Sequence, residues 1–201
     1  MKIGIIGGTF DPIHNGHLII GENIRDSLDL DEVIFIPAGQ PPHKNGSYFQ
    51  SAQDRLNMVS LAIESNPKFS LSNMEIKSKD TSYTFSTLKK LKEENKETDY
   101  YFIIGADSLF NLDDWYRFKD LSKLTNFAVR SRLGHSKDEI MDRIRFLQDE
   151  YACNIIYLEG PLIEISSSEI RNRIRLNKSI KYLVPDPVKE YIEKHNLYIG
   201  E

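Results

Sequence analysis

The sequence of 201 residues predicts an α/β protein: a Rossmann-like, doubly wound parallel sheet with helices on both faces and a small helical C-terminal part. Two observations predict this fold. Strand-like and helix-like segments alternate along the chain, which is typical of a parallel sheet covered on both faces. The strand-like segments are also continuous apolar runs, as expected for strands that are buried on both sides.

Each element follows from a local pattern. Apolar runs predict strands at residues 2–7, 32–39, 100–107, 126–131 and 154–160, and residues 69–77 give a weaker strand signal. Apolar residues at helical spacing predict helices at residues 16–30, 51–66, 84–95, 136–151, 166–175 and 186–196. In the second helix we expect one buried face, formed by Leu56, Val59, Ala62 and Ile63. We expect a single domain over residues 1–201, with its helical C-terminal portion at about 166–201.

Composition limits the classes of partner. The net charge is −4, which argues against general binding of nucleic acids or membrane surfaces. No segment approaches the ~20 apolar residues of a membrane span, and Gly7, Gly8 and Asp11 interrupt the N-terminal apolar run too early for a signal peptide. Cys153 is the only cysteine, which suits a reducing compartment, and we expect it to be a buried, passive thiol. The sequence thus predicts a cytoplasmic protein with no nucleic-acid and no membrane partner, and it leaves homo-oligomerisation open.

The stretch GGTFDPIHNGHL, residues 7–18, follows the first predicted strand and carries the strongest chemical signal. Ligands of open parallel sheets bind beyond the carboxyl ends of the strands, where Gly7 and Gly8 allow the backbone to approach a ligand closely. A helix is predicted to follow, with Asn15 as its cap, and a helix start attracts anions through its unpaired N–H groups.

Two histidines flank this helix start. His14 and His17 are three positions apart, so both imidazoles can donate to the same phosphate. Gly16 between them leaves room for a planar group such as a base. The dinucleotide-binding G-x-G-x-x-G motif and the Walker A loop are both absent from the sequence.

Other segments can complete such a site. Ser166-x-x-Glu169 fits a capping box, which predicts a second helix start with hydroxyls at Ser167 and Ser168, and Arg171 lies on one face of that helix. A capped surface helix with solvated arginines is the alternative. Lys44 lies in the irregular loop 38–50, which has the composition of a lid that closes on pyrophosphate, although a solvated loop lysine is the simpler interpretation.

The fourth strand leads into two further candidates. Gly105 and Asp107 lie at its carboxyl end, where Asp107 can accept from a ribose hydroxyl, position Mg²⁺ through water, or cap a helix. Trp115, the only tryptophan, lies among charged neighbours and is either a structural core residue or a stacking platform for an aromatic ring.

The sequence HNGH resembles the T/H-x-G-H signature of a nucleotidyltransferase superfamily, and SSSEIR resembles its S-S-T-x-I-R element, with Ser168 in place of Thr. In that superfamily the two histidines bind the triphosphate and stabilise the transition state at the α-phosphorus. GGTFDPIHNGHL, PPHK, SYTFSTL, GADS, WY and SSSEIR also occur in the order found in bacterial nicotinate-mononucleotide adenylyltransferases, and this resemblance spans nearly the whole chain.

The resemblance implies roles for individual residues. Trp115 would stack on the nicotinate ring, and backbone N–H groups at Thr84 and Tyr116 would hold its carboxylate. Arg132 is expected beside the acceptor, although Leu133 stands where the family often has proline. The full expectation comprises catalytic residues His14, His17, Lys44 and Arg171; ATP-binding residues Gly7, Gly8, Thr9, Phe10, Gly16, Ser166, Ser167 and Ser168; and acceptor-binding residues Thr84, Gly105, Asp107, Trp115, Tyr116 and Arg132.

The implied reaction transfers the adenylyl group of ATP to nicotinate mononucleotide, giving nicotinate adenine dinucleotide and pyrophosphate for NAD biosynthesis. Mg²⁺ would accompany ATP and be held mainly by the phosphates, with no direct ligand from the protein. Alternatives from the same superfamily use nicotinamide mononucleotide or phosphopantetheine as the acceptor. Kinship with class I aminoacyl-tRNA synthetases is weak because the chain is short and lacks a K-M-S-K-S loop. A nucleotide sensor without turnover would not need so many residues that donate hydrogen bonds to phosphate.

Overall fold

A computed structural model describes residues 1–41, 49–130, 134–160 and 163–199. The strands in this part of the chain are β1 Lys2–Gly8, β2 Glu32–Pro37, β3 Phe69–Leu71, β4 Asp99–Gly105, β5 Asn126–Arg130 and β6 Ile155–Leu158. The helices are α1 Asn15–Ser27, α2 Ala52–Ile63, α3 Met74–Lys77, α4 Thr84–Glu94, α5 Ala106–Phe110, α6 Phe118–Leu121, α7 Lys137–Tyr151, α8 Ser167–Arg175 and α9 Asp186–Lys194, and a 3₁₀ turn spans Leu112–Asp114.

The six strands form one sheet in the order β3-β2-β1-β4-β5-β6, which is the strand order of doubly wound, Rossmann-like folds. The pairs β1–β4, β4–β5 and β5–β6 are parallel, with Ile5 opposite Phe102 and Ile103 opposite Ala128. The strand order reverses at β1 and β4, and both strands end in glycine, at Gly8 and Gly105. The predicted α/β fold class is confirmed, and the sheet reverses where such folds bind ligands.

The chain divides into two compact units. Unit 1 comprises Met1–Gly7, Gly21–Ile34 and Tyr83–Glu164, and unit 2 comprises Gly8–Ile20, Phe35–Ser82 and Ile165–Glu201. Fully buried side chains of unit 1 include Ile5, Phe127 and Leu147, whereas those of unit 2 include Phe35, Met58 and Val188. The single domain expected over residues 1–201 stays a prediction.

The third predicted strand is too long. β3 ends at Leu71, and residues 74–77 of the predicted strand form helix α3 instead. Beyond β3 the Ser72 N–H donates to the Phe35 carbonyl at 3.0 Å, after which Asn73 leaves the extended region with φ −98° and ψ 15°. The Lys77 N–H then donates to the Asn73 carbonyl at 3.0 Å, which closes a helical turn.

The buried face of α2 also differs from the prediction at three positions, because it includes Arg55 and Met58 and leaves out Leu56. Arg55 is fully buried, together with Met58, Val59, Ala62 and Ile63, whereas Leu56 is only half-buried. Arg55 therefore occupies the first position of the stripe that faces the protein interior. In the described part of the chain, no helix has the length and apolar content needed to cross a bilayer.

Candidate active site

The turn after β1 lies in unit 2 and leads into α1. His14 precedes the helix and His17 lies in its first turn, as predicted, with the His17 N–H donating to the His14 carbonyl at 3.0 Å. The prediction that Asn15 caps the helix is wrong, because Asn15 is already its first residue. Its backbone N–H donates to the Leu183 carbonyl at 2.9 Å and its side-chain amide to the Tyr182 carbonyl at 2.7 Å, so the helix start is fixed by a distant segment.

The two imidazoles lie against each other. Their ring centroids are 3.7 Å apart with an interplanar angle of 25°, and His14 is buried while His17 is half-buried. The His14 backbone N–H donates to Nδ1 of His17 at 3.3 Å. Because a ring nitrogen that accepts a hydrogen bond carries no proton, this bond selects the tautomer with hydrogen on Nε2. His17 therefore offers a fixed Nε2–H donor, the group that binding of a phosphate oxygen requires.

Phe10 supports His17 from inside the loop. The Phe10 side chain is buried, and its ring meets the His17 ring edge-on at 5.0 Å and the Phe35 ring at 6.0 Å. Its backbone has φ 50°, in the left-handed region. A Cβ on Gly8 would lie 3.3 Å from the Phe10 ring, so the close approach of this ring favours glycine at position 8. A contact of Phe10 with ATP would thus have to come from its main chain.

Arg55 is a residue of this site that the sequence interpretation missed. Its guanidinium donates to the carbonyls of Thr9 at 2.8 Å, Gln50 at 3.2 Å and Gly39 at 3.5 Å. Burial lowers the pKa of Arg55, and the charge of Asp11 offsets part of that effect. Arg55 thus ties the loop after β1 to residues 39 and 50, on either side of the undescribed residues 42–48, which include the predicted catalytic Lys44. Its signal in the sequence is a charged residue within the apolar stripe of α2.

The start of α8 also lies in unit 2. Ser166 is its N-cap, with Oγ accepting from the Glu169 N–H at 3.1 Å, which confirms the predicted cap. The Ser167 hydroxyl donates to the Pro12 carbonyl at 2.8 Å, while Ser168 is exposed. The predicted helix start therefore lies directly against the loop that carries the histidines.

Arg171 makes the second connection between α8 and this loop. Its Nη1 donates to the main-chain carbonyl of Asp11 at 2.6 Å, and its Nη2 donates to the Ser168 hydroxyl at 3.3 Å. The structure thus brings together, within unit 2, the histidine pair, the serine-rich helix start and Arg171. These groups share one chemical property, since all of them can donate hydrogen bonds to an anion.

Trp115 and Tyr116 lie in unit 1, directly after the 3₁₀ turn. Trp115 is half-buried and meets Phe102 of β4 edge-on at 5.8 Å. A Cβ on Gly7 would lie 3.1 Å from the same Phe102 ring, so Gly7 makes room for the ring that supports Trp115. The partial exposure of Trp115 leaves part of the side chain accessible, as a stacking platform requires.

Tyr116 is 52% exposed and brings a helix start close to Trp115. It stacks on Tyr83 at 4.5 Å and meets Phe85 edge-on at 6.2 Å. These two aromatic residues flank Thr84, the half-buried first residue of α4. The first N–H groups of a helix have no partner within the helix, so this arrangement places the backbone donors at the start of α4 beside Tyr116, the neighbour of Trp115.

A second missed residue, Arg143 of α7, fixes the segment that leads to Trp115. Its guanidinium donates to the carbonyls of Leu109 at 3.4 Å and Phe110 at 3.0 Å, and it forms an ion pair with Asp113. All four residues belong to unit 1. Arg143 is separated from Trp115 by 28 positions in sequence, and two of its partners are main-chain carbonyls that carry no side-chain signature.

The remaining acceptor candidates lie near the ends of β4 and β5. Gly105 is the N-cap of α5, and apart from its chain neighbours no described residue comes within 4 Å of the position its Cβ would take. Asp107 is exposed in the first turn of this helix. Arg130 ends β5 and is buried against Gly160, and this burial lowers the pKa of Arg130. The predicted acceptor residue Arg132 lies outside the described residues.

A doubly wound α/β sheet with paired imidazole donors after its first strand, beside a serine-capped helix that carries an arginine, defines a nucleotide-binding protein. The chain belongs to the Cytidylyltransferase-like family, whose profile matches residues 5–173.

Close relatives cover the whole chain. A protein of Clostridium novyi (strain NT) is 43% identical over 197 residues, which are 98% of this chain and 98% of the relative. A protein of Clostridium perfringens (strain 13 / Type A) is 45% identical over 200 residues, which are 100% of this chain and 99% of the relative. Both relatives carry the name "Probable nicotinate-nucleotide adenylyltransferase".

Solved structures share the fold. The nicotinic acid mononucleotide adenylyltransferase of Plasmodium falciparum complexed with NaAD matches with a TM-score of 0.81 and 23% identity, covering 98% of this chain and 97% of that protein. The same enzyme complexed with APC matches with a TM-score of 0.78 and 22% identity, covering 98% and 96%. At this level of identity the likeness supports the α/β fold.

Proposed function

We propose that this chain transfers the adenylyl group of ATP to nicotinate mononucleotide, giving nicotinate adenine dinucleotide and pyrophosphate for NAD biosynthesis. Relatives that carry this activity in their names are 43% and 45% identical over essentially the full length of the chain. The observation that carries the proposal is the His14–His17 pair, in which the bond to Nδ1 leaves Nε2 of His17 as a fixed donor.

The chemistry needs positioned donors and no nucleophile from the protein. A phosphate oxygen of the mononucleotide forms a bond to the α-phosphorus of ATP, and the bond from that phosphorus to the bridging oxygen of pyrophosphate breaks. The attacking phosphate is already ionised at neutral pH, so no general base is required. Catalysis then consists of alignment and stabilisation of the developing charge.

Residues of unit 2 are suited to the ATP side of this reaction. His14 and His17 donate to the phosphates, and the N–H groups at the start of α8 add to the positive field. Arg171 supplies a guanidinium that can contact two phosphate oxygens, and the Asp11 carbonyl holds that guanidinium at 2.6 Å. We include Lys44 in this set on the strength of the PPHK motif alone.

Residues of unit 1 are suited to the nicotinate ring. Trp115 offers a partly exposed indole, and an indole attracts a cationic pyridinium ring. The first N–H groups of α4, at Thr84, and the backbone of Tyr116 are suited to a carboxylate, because such groups can only donate. A nicotinamide carries a neutral amide in place of that carboxylate, so these donors favour nicotinate.

Mg²⁺ belongs to this proposal as part of the substrate, MgATP. Mg²⁺ retains several waters and is commonly held by substrate phosphates with one or two carboxylates. Among the described residues there is no group of three or more His, Cys, Asp and Glu side chains that could hold a metal ion. The cytoplasmic location stays a prediction.

The experiment that tests the function measures pyrophosphate release from MgATP with nicotinate mononucleotide, nicotinamide mononucleotide and phosphopantetheine as separate acceptors. We expect the highest kcat/KM with nicotinate mononucleotide and a dinucleotide product of matching mass. A higher kcat/KM with phosphopantetheine would overturn the assigned acceptor. If no pyrophosphate is released with any of the three acceptors, the proposed transfer itself is overturned.

A further inference from the structure

A buried carboxylate connects the loop between β1 and α1, residues 9–14, here called the histidine loop, to the C-terminal segment of unit 2. Asp11 is 3% exposed, and its Oδ1 accepts from the Tyr198 hydroxyl at 2.8 Å and from the Gln50 N–H at 3.2 Å. Tyr198 is itself only 1% exposed. Since burying a charged carboxylate is costly unless it is hydrogen-bonded, these donors determine where the Asp11 carboxylate lies.

The same residue holds Arg171 through a different atom. The Arg171 Nη1 donates to the main-chain carbonyl of Asp11 at 2.6 Å and lies 3.8 Å from the Asp11 Oδ2. The carbonyl is therefore the hydrogen-bond partner, and the carboxylate oxygen lies just beyond hydrogen-bonding distance. A carboxylate is a stronger acceptor for a guanidinium than a carbonyl is. The Oδ2 of Asp11 therefore competes with the main-chain carbonyl oxygen of Asp11 for Arg171.

We propose that Tyr198 is a positioning residue for Arg171. By binding Oδ1, its hydroxyl keeps the Asp11 carboxylate from turning onto the guanidinium, so that Arg171 stays on the carbonyl with N–H groups available for phosphate. Without the hydroxyl, the carboxylate forms a closer ion pair with Arg171 and draws it away from the nucleotide. This inference rests on the proposed function, in which Arg171 contacts ATP.

The chain offers a matched pair of variants. Tyr198→Phe removes the hydroxyl and keeps the buried ring. Tyr191→Phe is the control, because the Tyr191 hydroxyl likewise donates to a carboxylate of unit 2, that of Asp54 at 2.9 Å, and accepts from Asn57 at 2.9 Å, and neither partner belongs to the histidine loop.

We expect kcat to fall about tenfold or more in Tyr198→Phe, as for the loss of one hydrogen bond to a charged group. The KM for the mononucleotide should not change, and Tyr191→Phe should keep kcat within about twofold of the wild type. Thermal unfolding of both variants distinguishes a structural effect, because each variant loses a hydroxyl that donates to a carboxylate. Equal kcat values for the two variants would overturn the proposal, and so would a Tyr198→Phe chain that is unfolded at the assay temperature.

A double-mutant cycle tests whether Tyr198 acts through Arg171. In an Arg171→Met background, Tyr198→Phe should cause no further loss, because the group that it positions is gone. The same loss in both backgrounds would overturn the proposal. The Kd of ATP is also measured by calorimetry for each protein of the cycle. We expect Tyr198→Phe to weaken ATP binding several-fold when Arg171 is present and to have no effect on the Kd in the Arg171→Met background.

The two readouts separate this inference from the function. Wild-type protein that binds ATP but forms no product overturns the proposed transfer, and the Kd cycle then decides the role of Tyr198. Wild-type protein that does not bind ATP overturns both.

Discussion

Replacing His17 by three different residues identifies which nitrogen of its imidazole acts on the nucleotide. In the structure, Nδ1 accepts from the His14 N–H at 3.3 Å, so Nε2 carries the hydrogen. The ring is held by stacking on His14 at 3.7 Å and by the edge of Phe10 at 5.0 Å. The proposed function therefore requires a donor at the Nε2 position and an acceptor at the Nδ1 position.

The three variants separate these two requirements. His17→Ala removes both the acceptor and the donor. His17→Asn places an amide oxygen near the Nδ1 position, so the bond from His14 can persist while the Nε2 donor is lost. His17→Gln has a longer side chain, whose amide nitrogen can reach the Nε2 position.

The magnitudes follow from these bonds. Loss of one preorganised donor to developing charge costs about 10²–10³ in kcat, so we expect that loss in His17→Ala and in His17→Asn. The His14–His17 bond contributes about 0.5–1.5 kcal/mol to the free energy of unfolding, which His17→Ala loses and His17→Asn retains. His17→Gln should keep a larger share of kcat than His17→Asn.

The assay is pyrophosphate release from MgATP and nicotinate mononucleotide, with thermal unfolding of each variant measured in parallel. His195→Ala is the control, because His195 is exposed at the end of α9 and stacks on Tyr191. His17→Asn activity within threefold of the wild type would refute the assignment of Nε2 as the catalytic donor. Higher activity in His17→Asn than in His17→Gln would indicate that the Nδ1 position matters more.

Three further predictions concern unit 1. Trp115→Ala should raise the KM for the mononucleotide about tenfold, equivalent to ~1.4 kcal/mol of cation–π and stacking energy, and leave the KM for ATP unchanged. A rise in the KM for ATP alone would instead assign Trp115 to the ATP site. Arg143→Met should reduce the quenching of Trp115 fluorescence by the mononucleotide, whereas Arg145→Met, which removes an exposed ion pair of the same helix, should not; equal quenching in both variants would show that Arg143 does not position Trp115. Burial raises the pKa of the Cys153 thiol, so a thiol reagent at neutral pH should label it only in denaturant, and rapid labelling of the native protein would contradict its burial.

The fold was largely predictable because most of its strands are continuous apolar runs and its main helices show clear periodicity. Prediction failed for short elements. The helices at Met74–Lys77 and Phe118–Leu121 have four residues each, about one turn, which is too short for a periodic pattern. Such turns are determined by local hydrogen bonds, including the bond from the Lys77 N–H to the Asn73 carbonyl.

The site was predictable only for residues that belong to recognisable motifs. His14, His17 and Ser166 could be placed because a helix start has a characteristic sequence. Arg55 could not, because its partners are the carbonyls of Thr9, Gln50 and Gly39, and a carbonyl is present at every position of a chain. Contacts made to the main chain leave no trace in the residue types of their partners.

The histidine loop also contains residues that support the site instead of facing a ligand. Phe10 has φ 50°, a conformation that costs a non-glycine residue on the order of 1–3 kcal/mol and persists only when its surroundings impose it. Arg55 holds the carbonyl before Phe10, and Tyr198 holds the carboxylate after it. Because the loop is fixed on both sides of this residue, the neighbouring donors need not reorganise when charge develops on a phosphate, which is the condition under which hydrogen bonds stabilise a transition state most strongly.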